Sequence, residues 1–208
     1  NKCCQRTKSS IARVHIPYAC KLLFQVTSVF YDILMGKIQA DGGKFDWGIT
    51  TSQAYLPVDH DNYFEESVSL VEWLRKYSKT EEEREELFLR GFLGKMLFSG
   101  EEALKNSNVL SGGEKVRCML SKIMMERANV LLLNEPTNHL DLESITAFNN
   151  SLKNFKGTLL CSTSDHAFSQ TLGNRIVELT PNGAIDRHTT FDDYMTDPKI
   201  KELRLKMG

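Results

Sequence analysis

Residues 130–144 read VLLLNEPTNHLDLES, and this stretch decides the architecture. Four apolar residues, Val130 to Leu133, run straight into Asn134, Glu135 and Pro136. An unbroken apolar run of this length, ended by turn residues, fits a strand buried on both faces. In open parallel sheets, ligands sit beyond the carboxyl ends of such strands. The residue expected there is an acid that delivers charge to a phosphate or a metal. Here the first polar residue is Asn134, a neutral amide, and the acid Glu135 follows it.

Working outward, a helix is predicted over 142–154 and a second apolar strand over 158–163 (TLLCST). Upstream, LSGGEKVRCMLSKIMMER spans 110–127. Ser111 can cap a helix there, with Glu114 at the third helical position, a capping box. Val116, Met119, Leu120, Ile123 and Met124 then form one core-facing stripe. Residues 60–109 read as helical and polar. SVSLVEWLRKY carries apolar residues at 68, 70, 71, 73 and 74, and TEEEREELFLRGFLGKM opens with Thr80 and Glu83, a second capping-box pattern. ITTSQAYLPV (49–58) alternates as a strand, and GKIQADGGKFDWG (36–48) reads as a hairpin turning at Asp41-Gly42-Gly43. RIVELTPNGAIDR is a hairpin turning at Pro181-Asn182-Gly183, and the tail DPKIKELRLKMG is a short charged helix. Alternating strands and helices imply an α/β fold with a mostly parallel sheet.

The chain has 208 residues, is 41% hydrophobic and 25% charged, and carries a net charge of −1. That supports one sizeable domain and gives no basic excess of the kind nucleic-acid binding brings. The five cysteines (Cys3, Cys4, Cys20, Cys118, Cys161) are odd in number and form no CxxC pair, which fits a reduced, cytoplasmic setting. The apolar stretch Ile16–Met35 is broken by Lys21, Gln25 and Asp32 and makes a poor membrane span. Asn1 in place of Met fits a fragment or a processed form, and the start lacks a signal-peptide pattern.

Four short motifs then fall in order: LSGGE (110–114), VLLLNEP (130–136), NHLD (138–141) and STSDH (162–166). In this order the chain resembles an ATP-binding cassette (ABC) domain. LSGGE matches its signature, VLLLNEP its Walker B strand, NHLD its D-loop and STSDH its switch loop. The run EPTNHLDLES looks like the ABC-F class, whose members mostly act on ribosomes, over about residues 33 to 207. The resemblance implies a P-loop NTPase-like ABC cassette with a helical signature lobe inserted at about 60–110 and a C-terminal tail at about 191–208. It implies ATP and Mg²⁺ as cofactors, a second ABC cassette as partner and the ribosome as a possible one. Neither a membrane nor direct DNA contact is expected. Ser111, Gly112 and Gly113 would contact the γ-phosphate held by a partner cassette, with Glu114 in the same nucleotide-binding motif, Glu135 would be the general base, and Asp141 would lie at the cassette–cassette contact.

The departures fall on the chemistry. No GxxxxGK[ST] occurs, and the Gly-Lys pairs at 36-37, 43-44 and 94-95 lack its spacing. Counting back from Ile33-Leu34-Met35-Gly36, Thr27 and Ser28 occupy the places of the P-loop Lys and Ser/Thr. Ser28 keeps a hydroxyl for Mg²⁺, but the charge is gone, and Lys21 is poorly placed to replace it. Asn134 stands at the metal-side aspartate, Ser164 at the switch histidine with His166 two residues on, and Val58 at the Q-loop glutamine, just before Asp59 and His60. Gln53 lies five residues too early. Residues 1–31 hold no glycine and no acid. They read as an atypical segment in place of the P-loop region, either diverged or translated from a shifted or misjoined frame ending near residue 29. The second explanation is the favoured one, and 32–208 is then a partial cassette. Three readings follow for the whole: an ATPase with impaired chemistry, a non-catalytic module that lends its signature to a partner, or a remnant without function. An ATP-binding subunit of a transporter is a further alternative.

Overall fold

A computed structural model describes residues 11–15 and 21–207, with side chains from Val26 onward. Six strands form one sheet among the described residues: β1 (Ile11–His15), β2 (Gln53–Leu56), β3 (Val130–Asn134), β4 (Thr158–Ser162), β5 (Ile176–Thr180) and β6 (Gly183–Arg187). Their order is β2-β3-β4-β1-β5-β6. Every neighbouring pair is parallel except β5 and β6, which form the expected hairpin and pair Thr180 with Gly183.

The helices are α1 (Lys21–Leu34), α2 (Leu70–Arg75), α3 (Glu86–Lys95), α4 (Gly112–Glu126), α5 (Leu142–Lys153), α6 (His166–Leu172), α7 (Phe191–Thr196) and α8 (Pro198–Met207). Between β2 and α4 the described chain holds only helical segments and loops, apart from one isolated bridge between Ser69 and Asn106, as the polar helical lobe predicted.

The sheet divides two cores. On one face Leu131, Leu133, Leu159 and Cys161 pack with Leu70, Trp73, Leu93, Met119, Leu120 and Ile123 of the lobe and α4. Four of the five stripe residues of α4 are buried, whereas Met124 is half-buried. On the other face Val130 and Leu132 meet Tyr31 of α1. Tyr31 is fully buried and stacks on Tyr55, with ring centroids 5.9 Å apart. Within the lobe Phe64 stacks on Trp73 at 4.8 Å, and the Trp73 indole donates to the Tyr63 carbonyl at 2.6 Å.

Three readings are revised. The hairpin predicted over 36–48 is absent: Gly36–Gly48 contains no strand, although Gly43 has the positive φ of a turn. An isolated two-stranded hairpin is marginal in water, and here Ile38, Phe45 and Trp47 stay substantially exposed, with Trp47 donating to the Leu34 carbonyl. Thr80 and Glu83 form no capping box. The Thr80 hydroxyl accepts from the Glu83 N–H at 3.3 Å, but the Glu83 carboxylate turns back to the Lys79 N–H, and α3 begins later, at Glu86. The N-terminal segment, read as an atypical stretch in place of the P-loop region, contributes β1 between β4 and β5. Helix α1 runs without a break from 21 to 34, through the join near 29 and the boundary at 31/32.

The far end of the sheet is held by a buried acid. Glu178 on β5 is 1% exposed and accepts from the Tyr194 hydroxyl at 2.6 Å and from Arg204 Nε at 2.8 Å. Burial, and then the bond and charge of Glu178, push the Tyr194 phenol far up. This cluster ties α7 and α8 to the sheet. Arg204→Ala would leave the carboxylate buried and uncompensated, so a loss of about 3 kcal/mol is expected in urea unfolding. Tyr194→Phe, which removes one hydrogen bond to a charged group, should cost about 1.5–3 kcal/mol.

Candidate functional site

The site begins with strand parity. Side chains alternate across a sheet with a period of two. Val130 and Leu132 face α1, so Asn134 faces α1 as well. On a helix, residues three and four apart share a face, so Thr27 and Ser28 lie on the Tyr31 side of α1. The two faces meet as this geometry requires. Asn134 Nδ2 donates to Ser28 Oγ at 2.9 Å. Ser162 Oγ, from the register partner of Asn134 on β4, donates to Asn134 Oδ1 at 2.7 Å. Asn134 is 1% exposed, and Thr27 is buried beside it on α1. Tyr55 lies against both Asn134 and Asp32. Burial, and then the Asp32 charge, push its phenol up to about 12. Asp32 itself pairs with Lys37 at 3.2 Å.

Beyond β3 the backbone turns sharply. Glu135 has a φ of +50°, a left-handed conformation disfavoured for a side chain with a Cβ. Its N–H donates to the Ser162 carbonyl at 2.8 Å. Its carboxylate accepts from the Ser164 N–H at 3.1 Å and from Ser164 Oγ at 3.4 Å. Glu135 and Ser164 are therefore neighbours, with a hydroxyl where an imidazole was expected. His166 is turned elsewhere: its Nε2 bonds Asp192 Oδ1 at 2.7 Å and its ring meets Phe191 at 5.1 Å.

The signature turn is built as the sequence predicted. Ser111 Oγ accepts from the Glu114 N–H, and the Glu114 carboxylate accepts from the Ser111 N–H at 2.9 Å. Lys105 Nζ adds a bond to Glu114 at 2.8 Å. Partial burial opposes ionisation of Glu114, but the bonds from Lys105 and Ser111 outweigh it and hold the carboxyl at about 2. The first N–H groups of a helix have no acceptor within it, so this exposed turn offers donors to an anion. Gly113 packs so closely on the loop after β3 that a Cβ there would lie 2.5 Å from the His139 carbonyl oxygen. His139 itself has a φ of +65°. Asp141, expected at a cassette contact, caps α5 by accepting from the Ser144 N–H at 2.7 Å, and this bond lowers its pKa.

The structure thus makes three groups. Ser28, Asn134 and Ser162 form one, Glu135 and Ser164 a second, and Ser111 to Glu114 with His139 a third. A cleft of about 300 Å³, open to solvent, has His60, Asn134, Glu135, Asn138 and His139 along its walls. Sequence reasoning missed Tyr55, and it named Ser162 within the switch-loop motif and His60 beside the Q-loop position without giving either a role. Parity would have found Ser162, because the strand pairing sets it opposite Asn134. Gln53 lies at the start of β2, and its amide bonds Thr51, which removes it as a substitute for the Q-loop glutamine. Lys21 and residues 16–20 of the P-loop region lie outside what the side-chain description covers.

The residues at Asn134 do not fit a divalent metal ion. Hard cations need oxygen ligands, usually including carboxylate. Both polar atoms of Asn134 are engaged in neutral hydrogen bonds. Among the described residues no cluster of three or more His, Cys, Asp or Glu is placed to hold a metal.

A mostly parallel sheet with a capped helix start packed beside a strand that ends in Asn134-Glu135 has the architecture of a nucleotide-binding cassette. The family profile described as "ABC transporter" matches residues 22–138, and the chain belongs to this ABC family. It is 57% identical over 178 residues to an uncharacterized ABC transporter ATP-binding protein, YkpA, of Bacillus subtilis (strain 168), covering 85% of this chain and 32% of the relative. It is 28% identical over 176 residues to the energy-dependent translational throttle protein EttA of Escherichia coli (strain K12), covering 80% of this chain and 31% of that protein. The chain thus spans about a third of the length of these relatives. Among solved structures, it matches a metal-chelate type ABC transporter at TM-score 0.68 and 16% identity, over 96% of this chain and 78% of that one. It matches a dimeric bacterial ABC transporter cassette at TM-score 0.62 and 14% identity, over 83% and 82%. These likenesses agree on the fold. No helix among the described residues is long and apolar enough to cross a membrane.

Two outcomes follow from the signature turn. Gly113→Ala forces a backbone contact apart and should cost about 1–3 kcal/mol. Gly91→Ala, where the space is open, should raise stability by about 0.5–1 kcal/mol through helix propensity; denaturant unfolding reads both. Because the Glu114 pKa is depressed in the folded state, its contribution is present above the unfolded value near 4.5 and is lost as pH falls toward about 2. Glu114→Gln should flatten the stability profile in that window.

Proposed function

We propose that this chain is part of an ABC-F-type cassette pair, in which it offers its signature turn to ATP held by a partner cassette and hydrolyses little ATP itself. The observation that carries the reading is the prebuilt first turn of α4. Ser111 and Glu114 lock it, Lys105 braces it, and Gly112 and Gly113 bring no side chain that would keep a ligand from its backbone. A helix start of this kind suits a phosphate. In this reading Ser111, Gly112 and Gly113 contact the terminal phosphate, and Asp141 orders the loop that meets the partner.

The chain's own half-site is poor in charge. Thr27 and Ser28 stand where a cation and a metal-binding hydroxyl belong, Asn134 is neutral, and Ser164 replaces an imidazole. Glu135 remains as a carboxylate able to polarise water, with little to fix a phosphate in front of it. Phosphoryl transfer rests on positioning and charge stabilisation, so the expected rate is low. The ribosome as partner and a cytoplasmic location belong to the same proposal, supported by the run EPTNHLDLES and by the likeness to a protein named as a translational throttle. A second reading, the ATP-binding subunit of a transporter, has the printed description of the Bacillus relative in its favour. Co-sedimentation separates the two: ribosomes in one case, membranes in the other.

The test is a titration with a fluorescent ATP analogue. The purified chain alone should show no saturable binding, with or without Mg²⁺. Adding it to a partner cassette that carries an intact GxxxxGK[ST] loop should tighten the partner's binding about tenfold or more, and Ser111→Ala should reduce that gain. Saturable binding followed by hydrolysis in the chain alone would overturn the proposal.

A further inference from the structure

We propose that the junction where α1, β3 and β4 meet is a neutral side-chain tie closed to divalent cations, and that one atom, Nδ2 of Asn134, closes it. The inference rests on reading this junction as the metal side of a cassette, and it concerns this chain's own residues alone. Three elements converge here. Ser28 comes from α1, Asn134 from β3 and Ser162 from β4. In a nucleotide site of this architecture a hydroxyl and a carboxylate would share a cation at such a junction. Here a direct bond replaces the shared ion.

The chemistry of the donors excludes a cation. The Asn134 amide presents its N–H₂ to Ser28 Oγ at 2.9 Å. A cation on Ser28 Oγ would face the positive end of that N–H dipole. Asn134 Oδ1 is engaged by the Ser162 hydroxyl at 2.7 Å. The neighbouring carboxylates are held elsewhere. Asp32 pairs with Lys37 and faces Tyr55, and Glu135 accepts from Ser164. The tie is therefore complete without charge, and it adds a side-chain bond from α1 to the apolar packing of Tyr31 on the central strands.

The same geometry says what would open it. Asn134→Asp keeps the size and shape of the side chain and exchanges a donor for an anion. Both hydroxyls can rotate to donate to a carboxylate, because a hydroxyl proton turns to suit its partner. The tie would survive, and Ser28 Oγ and the new carboxylate would supply two oxygen ligands, with water completing the shell as is usual for Mg²⁺.

The experiment is a Mn²⁺ titration of the full chain read by electron paramagnetic resonance, with thermal unfolding alongside and with no nucleotide or partner present. The readout is the binding that Ser28→Ala removes. The wild type should show none. Asn134→Asp should gain one such site, at least tenfold tighter than any Ser28-dependent binding in the wild type, with a Tm that rises on adding Mn²⁺. The double variant should lose both. Ser28-dependent binding by the wild type would overturn the proposal, and this comparison does not need the Asp variant to fold. A folded Asn134→Asp protein without a new site would also overturn it, because Nδ2 would then not be what closes the junction. Failure of the signature-donor reading would appear only in the partner titration and would leave these outcomes unchanged.

Discussion

Strand β3 is buried on both faces, and this constraint organises the rest of the molecule. Every side chain from Val130 to Asn134 is covered, so each needs a partner on a particular side of the sheet. Leu131 and Leu133 are covered by α4, the lobe and α5, whereas Val130 and Leu132 are covered by α1. A polar residue at the next position of such a strand is costly unless it is hydrogen-bonded. Asn134 meets that demand through Ser28 and Ser162, and in doing so joins helix α1 to strands β3 and β4. The amide thus adds a polar tie to the apolar packing of Tyr31 that docks α1, and it sets the neutral character of this junction.

The same strand sets the active geometry beyond its end. Glu135 turns into a left-handed conformation directly after the buried run, and the loop passes through a second one at His139. Non-glycine residues pay for such conformations in strain, and strain of this kind clusters where a site must be held in place. The His139 carbonyl then sets the approach of α4, since only a glycine fits at 113. The signature turn and the loop after β3 are one packed unit, although 20 or more residues of chain separate them. Neutrality and order coexist here: the turn and the loop are held by packing and hydrogen bonds, while Thr27, Asn134 and Ser164 bring no charge to the strand ends.

Much was legible from local pattern. The apolar run at 130–133, the Ser111–Glu114 box and the turn at Pro181-Asn182-Gly183 each combine periodicity with cap or turn chemistry, and such local signals need no distant partner. The hairpin at 36–48 had the same local signal and fails, because Ile38, Phe45 and Trp47 find too little cover to hold two strands together. Strand β1 had no such signal. Its place depends on the gap between β4 and β5, which parallel pairing fills from a remote part of the chain.

The sequence by itself determined the class of fold, the order of its motifs and the neutral amide at position 134. Those follow from residue type and spacing, which are properties of the chain alone. Only the tertiary structure decided what Asn134 does instead, that Ser164 still reaches Glu135, that His166 turns to Asp192, and that Asp141 is occupied as a cap. Hydrogen bonds act over about 3 Å, and which groups come within that distance is set by the packing of elements far apart in sequence.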